Sequence, residues 1–101
     1  VYVYHPGMAQ RYGTAVDSGF RLEKETEYKI TLYTKINDVD SANGMIRLSV
    51  DDSVIYEGAD WLLRNSTSVH IRAVWLDVYI GGATPSQFDT YALIDDLDIR
   101  W

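Results

Sequence analysis

The chain has 101 residues, with 9 Lys and Arg against 15 Asp and Glu, which gives a formal net charge of −6. It has no cysteine, and 47% of its residues are hydrophobic and 13% aromatic. These proportions exclude a chain that is disordered throughout, because such a chain lacks the apolar residues for a packed core. The length predicts a single domain over residues 1–101.

The charge also narrows the class of ligand. Nucleic-acid-binding proteins present clustered Lys and Arg to phosphates, whereas the basic residues here are scattered along an acidic chain. The same acidity argues against a polyanionic polysaccharide as the preferred ligand. No apolar run approaches the roughly 20 residues of a membrane span. The chain begins with strand-like residues, so no signal peptide is expected.

Apolar and polar residues alternate with a period near two along most of the chain, which predicts strands. The predicted strands are, in chain order, residues 1–4, 28–37, 46–50, 54–57, 69–80 and 91–101. Asn43-Gly44 is a strong turn signal, and residues 59–67 are the only stretch with room for a helical turn. The turn residues Asp51-Asp52-Ser53 predict that strands 46–50 and 54–57 form a hairpin. Short strands separated by turns indicate an all-β fold, a β-sandwich or jelly roll of antiparallel strands.

The predicted strand 69–80 carries the clearest candidate site. Its alternation places Val74 and Leu76 on a core face and Trp75, Asp77 and Tyr79 on the opposite face. Aromatic rings beside a carboxylate suit a sugar, because the rings stack on its C–H face while the carboxylate accepts hydrogen bonds from hydroxyls. The alternative is that this second face packs against another sheet and that a backbone amide or an Arg satisfies the Asp77 carboxylate.

Other aromatic residues extend or bound this predicted site. Tyr2 and Tyr4 share one face of the first strand, where they favour sugar binding, and a phenol can also transfer protons if its pKa is tuned. Trp61 lies in a polar segment and is interpreted as a plug over one end of the sandwich or as a wall of a ligand site. Trp101 is expected to pack in the core.

The acidic residues raise the possibility of calcium, which prefers oxygen ligands. Adjacent carboxylates near a strand are costly unless something compensates them. The candidate ligands of one structural calcium ion are Asp95 and Asp96, together with Glu23, Glu25 and Asp17. The alternative is that these carboxylates are solvated in turns.

Two groups of motifs resemble known families. Residues 20–32 and 93–99 resemble jelly-roll carbohydrate-binding modules. The order of Tyr2-Val3-Tyr4-His5-Pro6, Tyr12-Gly13, Asn43-Gly44 and Tyr79-Ile80-Gly81-Gly82 resembles more closely the C-terminal half of polysaccharide lyase family 14 jelly rolls. That resemblance implies that Tyr2 and Tyr4 line a concave substrate groove and assist proton transfer. It also implies basic groove residues upstream of the tyrosine pair, and none is assignable here.

Three hypotheses follow from these patterns. The leading one is a secreted, non-catalytic carbohydrate-binding module that binds neutral β-linked glucans and targets a linked glycoside hydrolase to its polymer. Cellulose, cello-oligosaccharides, mixed-linkage glucan and xyloglucan are its expected ligands. The second is a polyuronate lyase, or part of one, that uses Tyr2 and Tyr4. The third is a structural or protein-interaction β domain.

Overall fold

The computed structural model describes residues 1–9, 11–77, 89 and 91–101. The chain divides into two compact units, Val1–Ile71 and Arg72–Trp101. All strands of the described residues lie in the first unit: β1 (Tyr2–Val3), β2 (Thr14–Ala15), β3 (Ile30–Lys35), β4 (Gly44–Val50) and β5 (Ser53–Trp61).

The strands form two antiparallel sheets. Strands β1 and β2 pair with each other, and the larger sheet has the order β3-β4-β5. The described residues contain no helix, and hence none that could cross a membrane. The prediction of an all-β fold built from antiparallel strands is therefore confirmed.

The hairpin between β4 and β5 closes with a two-residue turn. Val50 pairs with Ser53, and the intervening Asp51 and Asp52 both have positive φ angles, 49° and 64°. Two consecutive left-handed residues match the twist of the flanking strands, so they favour a tight hairpin. The Asp51 carboxylate also accepts a hydrogen bond from the Lys29 backbone N–H at 2.9 Å. The predicted hairpin is thus confirmed, and its turn is tied to the neighbouring strand.

The core of the described residues centres on β4. Ile46 and Val50 are buried, as is Val3 of β1. The alternation of β4 turns Arg47 to the opposite face, where it lies in register with Tyr33 of β3 and Glu57 of β5. Arg47 forms an ion pair with Glu57, and its guanidinium carbon lies 5.9 Å from the centre of the Tyr33 ring.

A buried asparagine joins the end of β3 to the segment after β5. Asn37 is fully buried, and its side-chain amide donates to the carbonyls of Asp38 and Arg64 at 2.7 and 2.9 Å. Its side-chain oxygen accepts from the backbone N–H groups of Leu63 and Arg64 at 2.7 and 2.8 Å. Because every hydrogen-bonding position of the amide is filled, burial of this polar group is compensated.

Several predicted elements differ from the structure. Residues 69–77 and 91–101 form no strand. Alternation yields a strand only where a neighbouring strand supplies hydrogen bonds, and no described strand pairs with either segment. Residues 59–67 contain no helical turn, since β5 continues to Trp61. Trp101 is exposed rather than packed in a core. Gly44 begins β4, and the left-handed residue of the preceding loop is Asp40.

Candidate functional site

Two exposed tyrosines lie side by side at the beginning of the chain. Tyr2 and Tyr4 expose 53% and 65% of their surface, while Val3 between them is buried. Their rings meet edge to face, with 5.4 Å between the ring centres and 80° between the planes. The predicted juxtaposition of the two phenols on one side of the chain is therefore what the structure shows, and both residues remain exposed.

The surroundings of the pair change the acidity of Tyr2. Partial removal of the phenol from water raises the pKa of Tyr2 above its ordinary value, and the neighbouring Tyr4 hydroxyl adds to this effect. The backbone of Gly13 opposes it by hydrogen bonding. A phenol already titrates near pH 10 in water, so the upward direction keeps Tyr2 protonated at neutral pH. The shift therefore disfavours Tyr2 as a base and leaves the protonated phenol as its form at neutral pH.

A second cluster lies on the side of β1 that carries Val3. The Nε2 atom of His5 lies 2.9 Å from the Thr14 hydroxyl, and the imidazole meets the Trp61 indole edge to face with 5.2 Å between ring centres. Trp61 donates its indole N–H to the Tyr56 hydroxyl at 3.1 Å. These contacts fix the orientation of the half-buried Trp61 indole, which lies at the end of β5 and contacts His5 from the segment that follows β1.

An open depression surrounds this cluster. It has a volume of about 400 Å³ and is lined by His5, Gly7, Thr14, Asp60, Trp61 and Leu62. Trp61 lines this depression, and its role as a plug or as a wall of a ligand site stays a prediction.

The other aromatic candidates lie in the second unit or outside the described residues. Trp75 exposes 88% of its surface, and Asp77 is also exposed. However, Val74 and Leu76, which were predicted to face the core, are exposed as well. Tyr79 lies outside the described residues. That one face of this segment packs in the core while the other binds a sugar therefore stays a prediction.

The candidate calcium ligands occupy ordinary surface environments. Asp17 forms a bidentate ion pair with Arg21 at 3.0 and 3.1 Å and accepts the Gly19 backbone N–H at 2.9 Å. The Asp95 carboxylate accepts the backbone N–H of Asp96 at 2.8 Å. Glu23 and Glu25, the remaining candidates, are exposed. Among the residues that the structure describes, no three acidic or histidine side chains come together as a metal site, and the calcium ion stays a prediction.

Sequence reasoning missed the His5 cluster. In the sequence, His5 was named only as part of the motif Tyr2-Val3-Tyr4-His5-Pro6, and Asp60 was not assigned a role. The contact between His5 and Trp61 joins residues far apart in the chain. No local motif signals such a contact, since it arises only when the two sheets are brought together.

Comparison with known proteins identifies the family. The sequence matches the model of polysaccharide lyase 14 over residues 5–94, which is most of the chain, and Tyr2 and Tyr4 immediately precede the matched range. No curated protein and no solved structure gives a significant match. The predicted resemblance to this family is confirmed. On the extent of the match, the chain belongs to the polysaccharide lyase 14 family.

Proposed function

We propose that this domain acts on a uronate polysaccharide as a lyase, with Tyr2 and Tyr4 transferring protons during β-elimination. The observation that carries the proposal is the exposed, edge-to-face pair of phenols in a chain of the polysaccharide lyase 14 family. This reverses the order of the first two sequence-based hypotheses. Family membership favours cleavage, whereas the acidic net charge alone favoured an uncharged ligand.

The reaction needs two proton transfers. A base removes the proton from the carbon next to the uronate carboxylate, and the electron pair forms a carbon–carbon double bond. The bond from the adjacent carbon to the glycosidic oxygen breaks, and an acid supplies the proton that this oxygen takes. Tyr2 keeps its proton at neutral pH and is assigned as the acid. Tyr4, whose ring meets that of Tyr2 edge to face, is assigned as the base.

The elimination also places negative charge on the uronate carboxylate, and a positive group or aligned donors normally stabilise that charge. In the described part of the chain, no Lys or Arg forms a hydrogen bond or a cation–π contact with Tyr2 or Tyr4. The role proposed for the tyrosine pair is therefore proton transfer and not stabilisation of this charge.

The proposal is tested by incubating the protein with alginate and with glucuronan and following the ultraviolet absorbance of the unsaturated product. Tyr2→Phe and Tyr4→Phe each remove one hydroxyl and keep the ring, so kcat should fall by about 100-fold or more, as for loss of a general acid or base. Tyr33→Phe is the matched control, because it keeps the ring beneath Arg47. Product formation that persists in both Tyr2→Phe and Tyr4→Phe would contradict the assignment, as would no product from either polymer.

A second candidate function is a non-catalytic module that binds neutral β-linked glucans and holds a linked glycoside hydrolase near its polymer. The observation that favours it is Trp75, whose indole exposes 88% of its surface and can stack on a pyranose. Calorimetry with cello-oligosaccharides tests it. Trp75→Ala should abolish binding, whereas Trp101→Ala, which removes another exposed indole, should leave it unchanged. Binding of cello-oligosaccharides without cleavage of any polyuronate would favour this module over the lyase.

A further inference from the structure

The depression lined by His5, Gly7, Thr14, Asp60, Trp61 and Leu62 is separate from the tyrosine pair. Along β1, Tyr2 and Tyr4 are exposed on one side, whereas Val3 is buried and His5 contacts Thr14 and Trp61. The volume of about 400 Å³ lies at the lower end of the range for small-molecule sites, so it has room for one sugar residue rather than a long segment of polymer.

We infer that this depression binds a single uncharged sugar residue. The half-buried Trp61 supplies an apolar wall, and its indole is held in place by His5 and Tyr56. Asp60 is exposed at the rim, and within the described residues it forms no ion pair, so its carboxylate is free to accept sugar hydroxyls. An aromatic wall beside a hydrogen-bonding carboxylate is suited to a pyranose.

His5 and Gly7 also bound the depression. A Cβ atom built on Gly7 would come within 3.5 Å of the His5 imidazole. The room beside the imidazole therefore depends on the absence of a side chain at Gly7.

Charge determines which sugars the depression accepts. Its six lining residues include Asp60 and neither Lys nor Arg. A uronate carboxylate in this space is therefore repelled by Asp60 and finds no cation there. The depression is thus selective for uncharged sugars, whereas the proposed elimination at Tyr2 and Tyr4 requires a uronate. The binding does not rest on the lyase reaction and can be tested without it.

Nuclear magnetic resonance of the Trp61 indole N–H tests this inference. Methyl glycosides of glucose, xylose and mannose serve as uncharged probes, and methyl glucuronide is the charged counterpart of the glucoside. At least one uncharged glycoside should shift the Trp61 resonance saturably. The glucuronide should bind about tenfold or more weakly than the glucoside because of the Asp60 carboxylate. Trp61→Phe assigns the resonance among the three tryptophans.

Two variants test the lining. Asp60→Asn should weaken binding of the uncharged glycoside up to about tenfold, because a neutral amide oxygen replaces the charged acceptor, and should narrow the preference over the glucuronide. Gly7→Val should abolish binding by filling the space beside His5, and retained dispersion of the amide spectrum shows that it is folded. Glu27→Gln removes the same charge from an exposed carboxylate elsewhere and should change nothing.

Three outcomes overturn the inference. The first is that no uncharged glycoside shifts the Trp61 resonance saturably. The second is that the glucuronide binds as tightly as the glucoside. The third is that folded Gly7→Val binds like the unaltered protein. None of these depends on whether alginate or glucuronan is cleaved, so this inference and the proposed lyase activity fail separately.

Discussion

Asn37 and Arg64 hold each other by three hydrogen bonds across 27 positions of the chain. The Asn37 amide donates to the Arg64 carbonyl and accepts from the Arg64 backbone N–H, at 2.9 and 2.8 Å. In return, the Arg64 Nε–H donates to the Asn37 carbonyl at 2.7 Å. This pair fixes the exit of β5, and with it the position of Trp61, relative to the end of β3.

Replacement of Asn37 by Ala should destabilise the protein by about 3 kcal/mol, because four part-buried backbone groups lose their hydrogen-bond partner and the space of the buried amide is left empty. The measurement is urea unfolding followed by tryptophan fluorescence. Asn43→Ala is the control, since Asn43 makes two hydrogen bonds with the exposed Asp38 and should cost only about 1 kcal/mol. Equal losses in the two variants would contradict the role assigned to Asn37.

Asp52→Gly should stabilise the β4–β5 hairpin by up to about 1 kcal/mol. Asp52 has a φ angle of 64°, which glycine adopts without the steric cost of a Cβ atom. The variant loses the exposed ion pair between Asp52 and Lys29, but such pairs contribute little. Thermal unfolding measures the change. Asp52→Ala loses the same ion pair and keeps a Cβ atom, so it should be destabilising, and a stabilised Asp52→Ala would refute the conformational explanation.

Gly44→Ala should destabilise the protein by about 1–3 kcal/mol through overpacking. A Cβ atom at Gly44 would lie 2.6 Å from the backbone oxygen of Trp61, and backbone atoms cannot move aside cheaply. Gly7→Ala is the matched control, because its Cβ atom would make ordinary contact with His5 at 3.5 Å. The denaturation midpoint of Gly44→Ala should therefore fall, whereas that of Gly7→Ala should stay close to that of the unaltered protein.

The ion pair of Asp17 with Arg21 should make a small contribution to stability depend on pH. The Arg21 guanidinium, which donates two hydrogen bonds to the Asp17 carboxylate, lowers the pKa of that carboxyl well below its usual value. A depressed pKa in the folded state means that the contribution is present above the ordinary Asp pKa of about 4. It is lost as the pH falls from there through the folded value.

Carbon-detected carboxylate titration of Asp17 measures this effect directly, and its midpoint should lie below about 4. Arg21→Gln should return the midpoint toward the ordinary value. The stability difference between the unaltered protein and Asp17→Asn should shrink as the solution is acidified. Salt should weaken the effect, since both side chains are largely exposed. An unchanged Asp17 midpoint in Arg21→Gln would rule out the ion pair as the cause.

Local patterns predicted the fold where hydrogen-bonded neighbours are close in sequence. The β4–β5 hairpin was predicted because alternation on both sides of Asp51 and Asp52 leaves little choice of pairing. The alternation of β3 places Ile30 and Leu32 on one face, yet both are exposed, as are the other residues of this strand. Alternation distinguishes the two faces of a strand but does not say which face is covered.

In the candidate site, too, only the contact between residues close in the sequence was predictable. The two-residue spacing of Tyr2 and Tyr4 predicted that their phenols share a side, and the rings do meet. The pairing of His5 with Trp61 and the burial of Asn37 were not predictable, because both depend on contacts between distant segments. Short polar residues in loops are usually solvated. Nothing in the sequence around Asn37 distinguishes a buried asparagine that joins two segments from a solvated turn residue.

Strand β4 is the one described strand with a hydrogen-bonded neighbour on each side, and it also carries Ile46 and Val50 of the core. Its backbone amides are released only when the whole sheet opens, whereas those of β3 and β5 are freed by fraying at an edge. Native-state hydrogen exchange should therefore be slowest in Gly44–Val50. A sugar bound beside Trp61 would slow exchange at the end of β5, because it would oppose fraying of this edge strand.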